Sequence, residues 1–375
     1  MSMLQMVDLK TQYHKLKPEI DKAVIDVLES SAFINGKPVA EFAGALANYL
    51  GVKHVIPCAN GTDALQIALM SLDLQPGDEV ITPSFTYVAT TEVVALLRLK
   101  PVFVEVEPDT FCMDPQKLEA AITPKTKAIV PVHLYGHAAN MEPILAIAKK
   151  HNVAVIEDTA QAMGGSYTFS NGSTAKLGSM GLIGCTSFFP SKNLGCYGDG
   201  GAMFTNDDAL ANKLRMIANH GQSVRYYHDM VGCNSRLDTV QAAILNIKLQ
   251  HLEEYNAART AAADYYDQQF ADVPAITTPY RAPYAKHVFH QYTLKLEGVD
   301  RDGLVQFLAD KGIPSMIYYP VPGHRQKMFD ATGGSGYDLP ITDWLTERVI
   351  SLPMHTELDQ AQQDIIIQAV KAFLK

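Results

Sequence analysis

Nowhere in this sequence do 18 apolar residues run together, so no membrane-spanning helix is expected. The opening stretch, MSMLQMVDLKTQYHK, contains no apolar leader segment, which points to a cytoplasmic protein. Basic residues are in deficit, 31 Lys and Arg against 40 Asp and Glu, and the net charge of −9 argues against nucleic acid or an anionic membrane as a partner. An anionic small molecule is still allowed, because a basic site can sit on an acidic protein. Cysteine is sparse: Cys58, Cys112, Cys185, Cys196 and Cys233 are scattered, odd in number and never spaced C-x-x-C. This fits reduced, packed thiols better than a zinc or disulfide framework. No G-x-G-x-x-G follows a strand-like run, which removes the usual signature of a nicotinamide dehydrogenase. Internal repeats and low-complexity segments are missing too.

What remains is an ordinary globular composition, 47% hydrophobic over 375 residues, enough for one large core and a smaller second one. Short apolar runs recur as DEVITP, KPVFVEVEP, TKAIVPVHLYG, VAVIEDTAQA, CTSFFPSK and GAMFTND. Helical stretches lie among them, such as NGTDALQIALMSL, opening near Thr62 or Asp63, and MEPILAIAKKH. This alternation predicts an α/β fold with a largely parallel sheet. The stretch TFSNGSTAKLGSMG (168–181) reads as a loop or hairpin. From Leu237 to about Phe270, the spacing of Leu237, Val240, Ile244, Ile247, Leu252 and Tyr255 predicts one long amphipathic helix linking two domains. Beyond it HQYTLKLEG alternates like a strand, RDGLVQFLADKG is a helix ending at Gly312, and DQAQQDIIIQAVKAFL is a closing helix. Residues 1–250 should therefore hold an N-terminal segment and the large domain. Residues 251–375 should hold the linking helix and a small α+β domain whose body begins near 271.

In such sheets ligands gather beyond the carboxyl ends of the strands. The rule nominates Thr86, Tyr87, His133, Asp158, Gln161, Ser187 and Lys192. One stretch stands out: in SFFPSKNLGCYGDGG (187–201) a single lysine follows an apolar run and precedes four glycines in seven residues. So glycine-rich a segment is no helix, and Lys192 falls where a strand ends. A lysine amine in a desolvated place has a lowered pKa and forms Schiff bases with carbonyl compounds. Pyridoxal 5'-phosphate is the cofactor that uses this most, and it needs a carboxylate for its ring nitrogen, donors for its phosphate and a surface to hold the ring.

All three are available here. Asp158 ends a buried strand, where an unpaired carboxylate is costly and calls for a cationic partner. Gly61 and Thr62 open a helix, whose free N–H groups favour an anion such as phosphate. Ser187 can add a hydroxyl. Taken singly, Asp158 is an ordinary cap or ion pair, NGT a cap and turn, and Lys192 a lysine before a turn. Their ordered placement at strand and helix ends is what points to a cofactor. The twelve histidines are read more plainly. His133 and His137 flank LYG after a strand and share no helical face, so no metal site is expected.

The segments FINGKPVAEF, CANGTDAL, DEVITPSFTYVATTE, PVHLYGH, VIEDTAQA, SFFPSKNLGCYGDGGAMFTND, NHGQ and GCNSRLDTVQAAIL together resemble the DegT and StrS type of pyridoxal-phosphate-dependent sugar-nucleotide aminotransferases. The likeness runs from about residue 6 to SLPMH at 351–355. It implies the aspartate-aminotransferase fold (fold type I) and a homodimer with sites shared between subunits. It further implies that Lys192 bonds the cofactor, Asp158 meets the pyridinium nitrogen, Gln161 touches the phenolic oxygen and Tyr87 stacks on the ring. Gly61, Thr62 and Ser187 would hold the phosphate, with Asn234 reaching in from the neighbouring subunit. L-Glutamate would be the amino donor and a nucleotide-linked ketosugar the acceptor. His220 and His228 fall in segments like the family's active-site rim.

The finer likeness is to enzymes that aminate C3 of UDP-2-acetamido-2-deoxy-3-keto-D-glucuronate for surface polysaccharide, with a dTDP-linked 3-keto-6-deoxyhexose or a UDP-4-keto sugar as alternatives. This chain departs from those relatives in one place. Where they tend to carry His-Tyr-Pro near the substrate it has Tyr318, Tyr319 and Pro320, then His324 after Gly323. Substrate contacts are expected from Arg236, His228, Tyr318 and His324. For Arg236 the plain alternatives are a pair with Asp238 or a cap on the long helix. A sugar dehydratase of the same fold would carry histidine in place of Lys192. A non-catalytic cofactor-binding regulator would fail to convert bound cofactor with glutamate.

Overall fold

The computed structural model describes residues 4–332 and 336–375. Each apolar run of the first half becomes a strand: β1 (His54–Cys58), β2 (Glu79–Pro83), β3 (Lys100–Val104), β4 (Thr126–Ile129) and β5 (Ala154–Asp158). A short excursion then forms the hairpin β6 (Ser166–Thr168) and β7 (Thr174–Lys176), as the 168–181 stretch suggests, before β8 (Ile183–Ser187) and β9 (Gly201–Thr205). Seven of these make one sheet in the order β1-β9-β8-β5-β4-β2-β3. From β8 through β3 every pairing is parallel, and β9 alone runs against its neighbours on both sides.

Alternate residues of these strands feed two cores, one on each face of the sheet. Ile81, Ile129 and Val155 join Met141 and Ile144 of the helix Met141–His151. Their neighbours Val80, Ala128 and Ile156 join Ala64 and Leu65 of the helix Gly61–Met70, and Leu214 of the helix Asp208–Ala218. Both faces being covered explains why the strands read as unbroken apolar runs. The carboxyl ends of β2, β4, β5 and β8 are left on one rim.

The single long helix expected from Leu237 to Phe270 is two helices. Thr239–Gln250 stops at His251, whose φ of −100° and ψ of 0° turn the chain, and Leu252–Phe270 begins at once. The first packs against the helices Leu9–Ser30 and Lys37–Leu50. The second delivers Ala262, Tyr266 and Phe270 to a different core, so the break redirects the chain from one packing partner to another.

Ahead of these two helices the chain forms a hairpin, β10 (Gln222–Val224) with β11 (Tyr227–His228). The later strands are β12 (Ile276–Thr277), β13 (Ala285–Lys286), β14 (Tyr292–Leu296) and β15 (Val349–Leu352). β12, β14 and β15 form an antiparallel sheet, covered by the helices Arg301–Asp310 and Gln360–Phe373. β13 instead extends the β6–β7 hairpin. Among the described residues, no helix is long and apolar enough to cross a membrane.

Candidate active site

A cleft of about 670 Å³ opens on the rim of strand ends, bordered on its far side by the segment just before β14 and by Tyr318 and Tyr319. Asp158, the last residue of β5, is buried in its floor. One carboxylate oxygen accepts the Thr90 hydroxyl at 2.8 Å and the other accepts the Ala160 N–H at 3.1 Å. Burial pushes its pKa up even so, against the pull of these two bonds and of Lys192. The carboxylate is therefore short of positive charge where it stands.

Lys192 enters from the loop after β8. Its backbone N–H closes a turn on the Phe189 carbonyl at 2.9 Å, and Phe188 is pinned on both sides, donating to Gly200 and accepting from Cys196. The side chain lines the cleft, and its amine has no hydrogen-bond or ion-pair partner among the described residues. Burial pushes its pKa down to about 8, partly opposed by Asp158. About a tenth of this amine is therefore neutral and nucleophilic at pH 7, several hundred-fold more than for an ordinary lysine.

Across from it, the helix Gly61–Met70 begins at the cleft. Its cap, Asn60, takes the Asp63 N–H at 2.8 Å on its side chain, and the Gly61 and Thr62 N–H groups have no acceptor among the described residues. A side chain at Gly61 would meet Ser187 Cβ at 2.6 Å, and one at Gly201 would meet the Asn60 carbonyl carbon at 2.4 Å. The two glycines let β8 and β9 close on the helix start, which places the Ser187 hydroxyl beside the free donors. Two backbone N–H groups, two hydroxyls and a helix dipole make a cradle for a dianionic phosphate.

Gln161 is buried and spans the remaining wall, accepting the Tyr135 N–H at 2.7 Å and donating to the Tyr319 hydroxyl at 2.8 Å. Tyr87 is 56% exposed and lies 6.1 Å from the Tyr319 ring, its face available to a planar ligand. The structure thus gathers Gly61, Thr62, Tyr87, Asp158, Gln161, Ser187, Lys192 and Tyr318 around one space. Fit to pyridoxal phosphate is good on this donor set: an under-compensated carboxylate for a ring N–H⁺, an unpartnered amine for an aldehyde, and a cradle for a phosphate.

Other expectations fall elsewhere. His324 does not line the cleft but is fully buried, with its Nδ1 2.7 Å from the Ser84 hydroxyl, so it cannot meet a substrate there. His133 is also buried behind the wall, its Nε2 on Glu157 at 2.9 Å and its Nδ1 accepting the Ala139 N–H. His228, Asn234 and Arg236 lie outside this chain's cleft, the first two exposed. Arg236 has no ion pair with Asp238, whose side chain makes no capping bond either. Thr90, His290 and Gln291 were not anticipated. Thr90 sits one helical turn beyond Thr86, and His290 and Gln291 immediately precede β14; no local pattern marks either position.

A mostly parallel sheet with one reversed strand, and a lysine facing a buried aspartate across its rim, define a fold type I aminotransferase. The chain belongs to the DegT/DnrJ/EryC1/StrS aminotransferase family, whose model matches residues 14–371. It is similar to the UDP-2-acetamido-2-deoxy-3-oxo-D-glucuronate aminotransferase of Pseudomonas aeruginosa, at 48% identity over 98% of this chain and 99% of that one. It is 46% identical to the UDP-N-acetyl-3-dehydro-alpha-D-glucosamine 3-aminotransferase of Acidithiobacillus ferrooxidans, over 96% of this chain and 95% of that one. A solved structure from Bacillus subtilis with bound cofactor PMP superposes with a TM-score of 0.92 at 32% identity, covering 100% of this chain and 86% of that one.

Proposed function

We propose that this chain is the pyridoxal-phosphate-dependent enzyme that moves an amino group from L-glutamate to C3 of UDP-2-acetamido-2-deoxy-3-keto-D-glucuronate. The observation that carries it is the opposition of Lys192 and Asp158 in a cleft with an anion cradle, in a chain 48% identical end to end to an aminotransferase for that sugar. The relative that acts on the glucosamine counterpart shares C3 chemistry and differs at C6. C3 amination is thus the common ground, and the C6 carboxylate is the finer choice.

The cofactor, when bound, supplies an aldehyde carbon that carries the amino group and a cationic ring that draws electrons from the reacting carbon. The rest is this chain's work. Gly61, Thr62 and Ser187 bind the phosphate, Gln161 donates to the ring's phenolic oxygen, and Tyr87 covers one face. Asp158 holds the proton on the ring nitrogen, and its burial makes that charge pair worth more than it would be in water. The Lys192 amine takes the proton from the α carbon of glutamate and returns it on the far side of the transfer, then does the reverse with the sugar. A pKa near 8 suits both duties.

Among the described residues lining the cleft, Lys192 is the one cationic side chain, while the nucleotide-linked uronate is a polyanion and glutamate brings two carboxylates. His290 is held neutral, its pKa pushed well down by burial and by Lys192. This deficit, together with Asn234, Arg236 and His228 standing outside the chain's own cleft, supports a homodimer in which each subunit completes the other's site. Synthesis of surface polysaccharide such as O-antigen, in the cytoplasm, is the setting that this sugar implies.

The test is amination with glutamate across a panel of UDP- and dTDP-linked 3-keto and 4-keto sugars. The UDP-3-keto-uronate should be turned over best. Preference for a dTDP-linked or a 4-keto sugar would overturn the assignment, and failure of glutamate alone to convert bound cofactor to its amine form would point to a regulator.

A further inference from the structure

A buried polar cluster outside the cleft joins the segment after β2 to the turn that follows the cleft tyrosines. Ser84 follows β2, and His324 lies in the Gly323–Arg325 turn; both side chains are fully buried. The Ser84 Oγ and the His324 Nδ1 are 2.7 Å apart, and the His324 backbone N–H donates to the same Oγ at 3.1 Å. The Gly323 N–H donates to the Ser84 carbonyl at 2.8 Å. On the other edge of the ring, Nε2 faces Asp343 Oδ1 at 3.3 Å, while Arg325 donates to the second oxygen at 2.8 Å. Nε2 makes no aligned hydrogen bond to that carboxylate among the described residues, but the nearby negative charge favours the ring proton on that side, so Nδ1 accepts from the Ser84 hydroxyl. The order Ser–His–Asp is that of a hydrolase, but neither Ser84 nor His324 lines the cleft, so this hydroxyl has no access to a substrate there.

We propose that Ser84 and His324 form a buried lock, with the half-exposed Asp343 beside the ring, that sets the tyrosine wall of the cleft and makes His324 a positioning residue for the ketosugar. The lever is short on both sides. Ser84 precedes Tyr87 by three residues, and His324 follows Tyr319 by five. Those tyrosines meet at 6.1 Å, and Tyr319 also takes the Gln161 amide at 2.8 Å. The strap carrying Asp343 is pinned separately, since Glu105, just past β3, accepts the Ile341 and Thr342 N–H groups at 2.9 and 2.8 Å. One turn bonded three times to one residue cannot shift without moving Tyr318 and Tyr319. The inference rests on the proposed function only in taking the sugar to lie on the tyrosine side.

The experiment uses the full chain loaded with cofactor, with the glutamate and ketosugar half-reactions measured separately in Ser84→Ala, His324→Leu and His324→Asn. Asparagine keeps an acceptor near the Nδ1 position. Ser84→Ala should raise KM for the ketosugar about five- to twenty-fold, several times more than any change in the glutamate half-reaction, which meets the same wall only through the cofactor. His324→Asn should recover most of what His324→Leu loses. Amide hydrogen exchange in the free protein should quicken at 318–324 and not at 183–192. Equal losses in both half-reactions, in step with a falling unfolding temperature, would reduce the lock to a stability element. Unchanged exchange at 318–324 would overturn it whichever sugar is used. A wild-type protein that aminates no UDP-linked sugar would instead sink the functional reading, and the exchange result would still decide the lock.

Discussion

The rim of strand ends and the segment 222–236 are finished to different degrees. On the rim, one chain supplies the amine, the carboxylate and the anion cradle, each held by short local bonds. In the segment, Val224, Tyr226, Tyr227 and Val231 are 65 to 85% exposed, and Arg236 has no ionic partner among the described residues. The difference teaches where each task is encoded. The groups that fit the cofactor are gathered by the single chain, whereas Arg236 and His228 stand outside that cleft, where under the proposed function they would serve a partner subunit.

The strongest challenge to this division is at Lys192. Lys192→Ala should cut turnover by roughly 10⁴-fold or more, the scale at which an activated nucleophile and its proton shuttle are lost together. It should also abolish borohydride trapping of the cofactor on the protein. Peptide mapping of the reduced wild type checks the assignment, and a label on another lysine would break it.

Mixing inactive subunits tests the other half. In a dimer of one Lys192→Ala chain and one Asn234→Ala chain, shared sites leave one site wholly native and one doubly defective. At cofactor concentrations too low to load the weakly binding Asn234→Ala parent, activity should rise to about half that of wild type per mixed dimer. Verified mixed dimers that stay inactive would mean that Asn234 serves its own chain.

Much of the rim was legible because its signals are local. A polar residue at the end of a buried strand marked Asp158 and Ser187, and the glycine-rich stretch after FFPSK marked Lys192. An asparagine and a glycine before an apolar helix marked the cradle. Long-range facts were not legible. The apolar spacing runs through His251 without a gap, and the helix breaks there because its two halves pack on different cores. His324 follows the cleft tyrosines closely in sequence, which made it look like a substrate contact. Its burial is decided by Ser84, 240 residues away. Thr90 bonds Asp158 across 68 residues, a pairing that no motif announces.

A third expectation concerns the rim's electrostatics. With its pKa lowered to about 8 by burial, the Lys192 amine of cofactor-free protein is protonated below that pH and neutral above it. The rate of cofactor attachment should therefore climb about tenfold per pH unit from 6 and level off near 8. A climb that continues toward 10 would show an ordinary exposed lysine.

The smallest expected effect is the most informative about the sugar. Arg236 stands two residues after Asn234, half-buried and unpaired, so a partner's cleft that receives Asn234 can receive its guanidinium as well. A planar guanidinium fork matches a C6 carboxylate through two parallel bonds, and an ammonium keeps the charge while losing that geometry. Arg236→Lys should weaken the uronate by about 1 to 3 kcal/mol, the scale of a charge-assisted hydrogen bond, read as KM in the ketosugar half-reaction. The glutamate half-reaction has to be measured beside it, because the donor also brings carboxylates that an arginine can hold. A loss confined to the uronate ties Arg236 to C6. An equal loss with the 6-hydroxymethyl sugar would detach it from the carboxylate and shift the assignment toward the neutral glucosamine-type substrate.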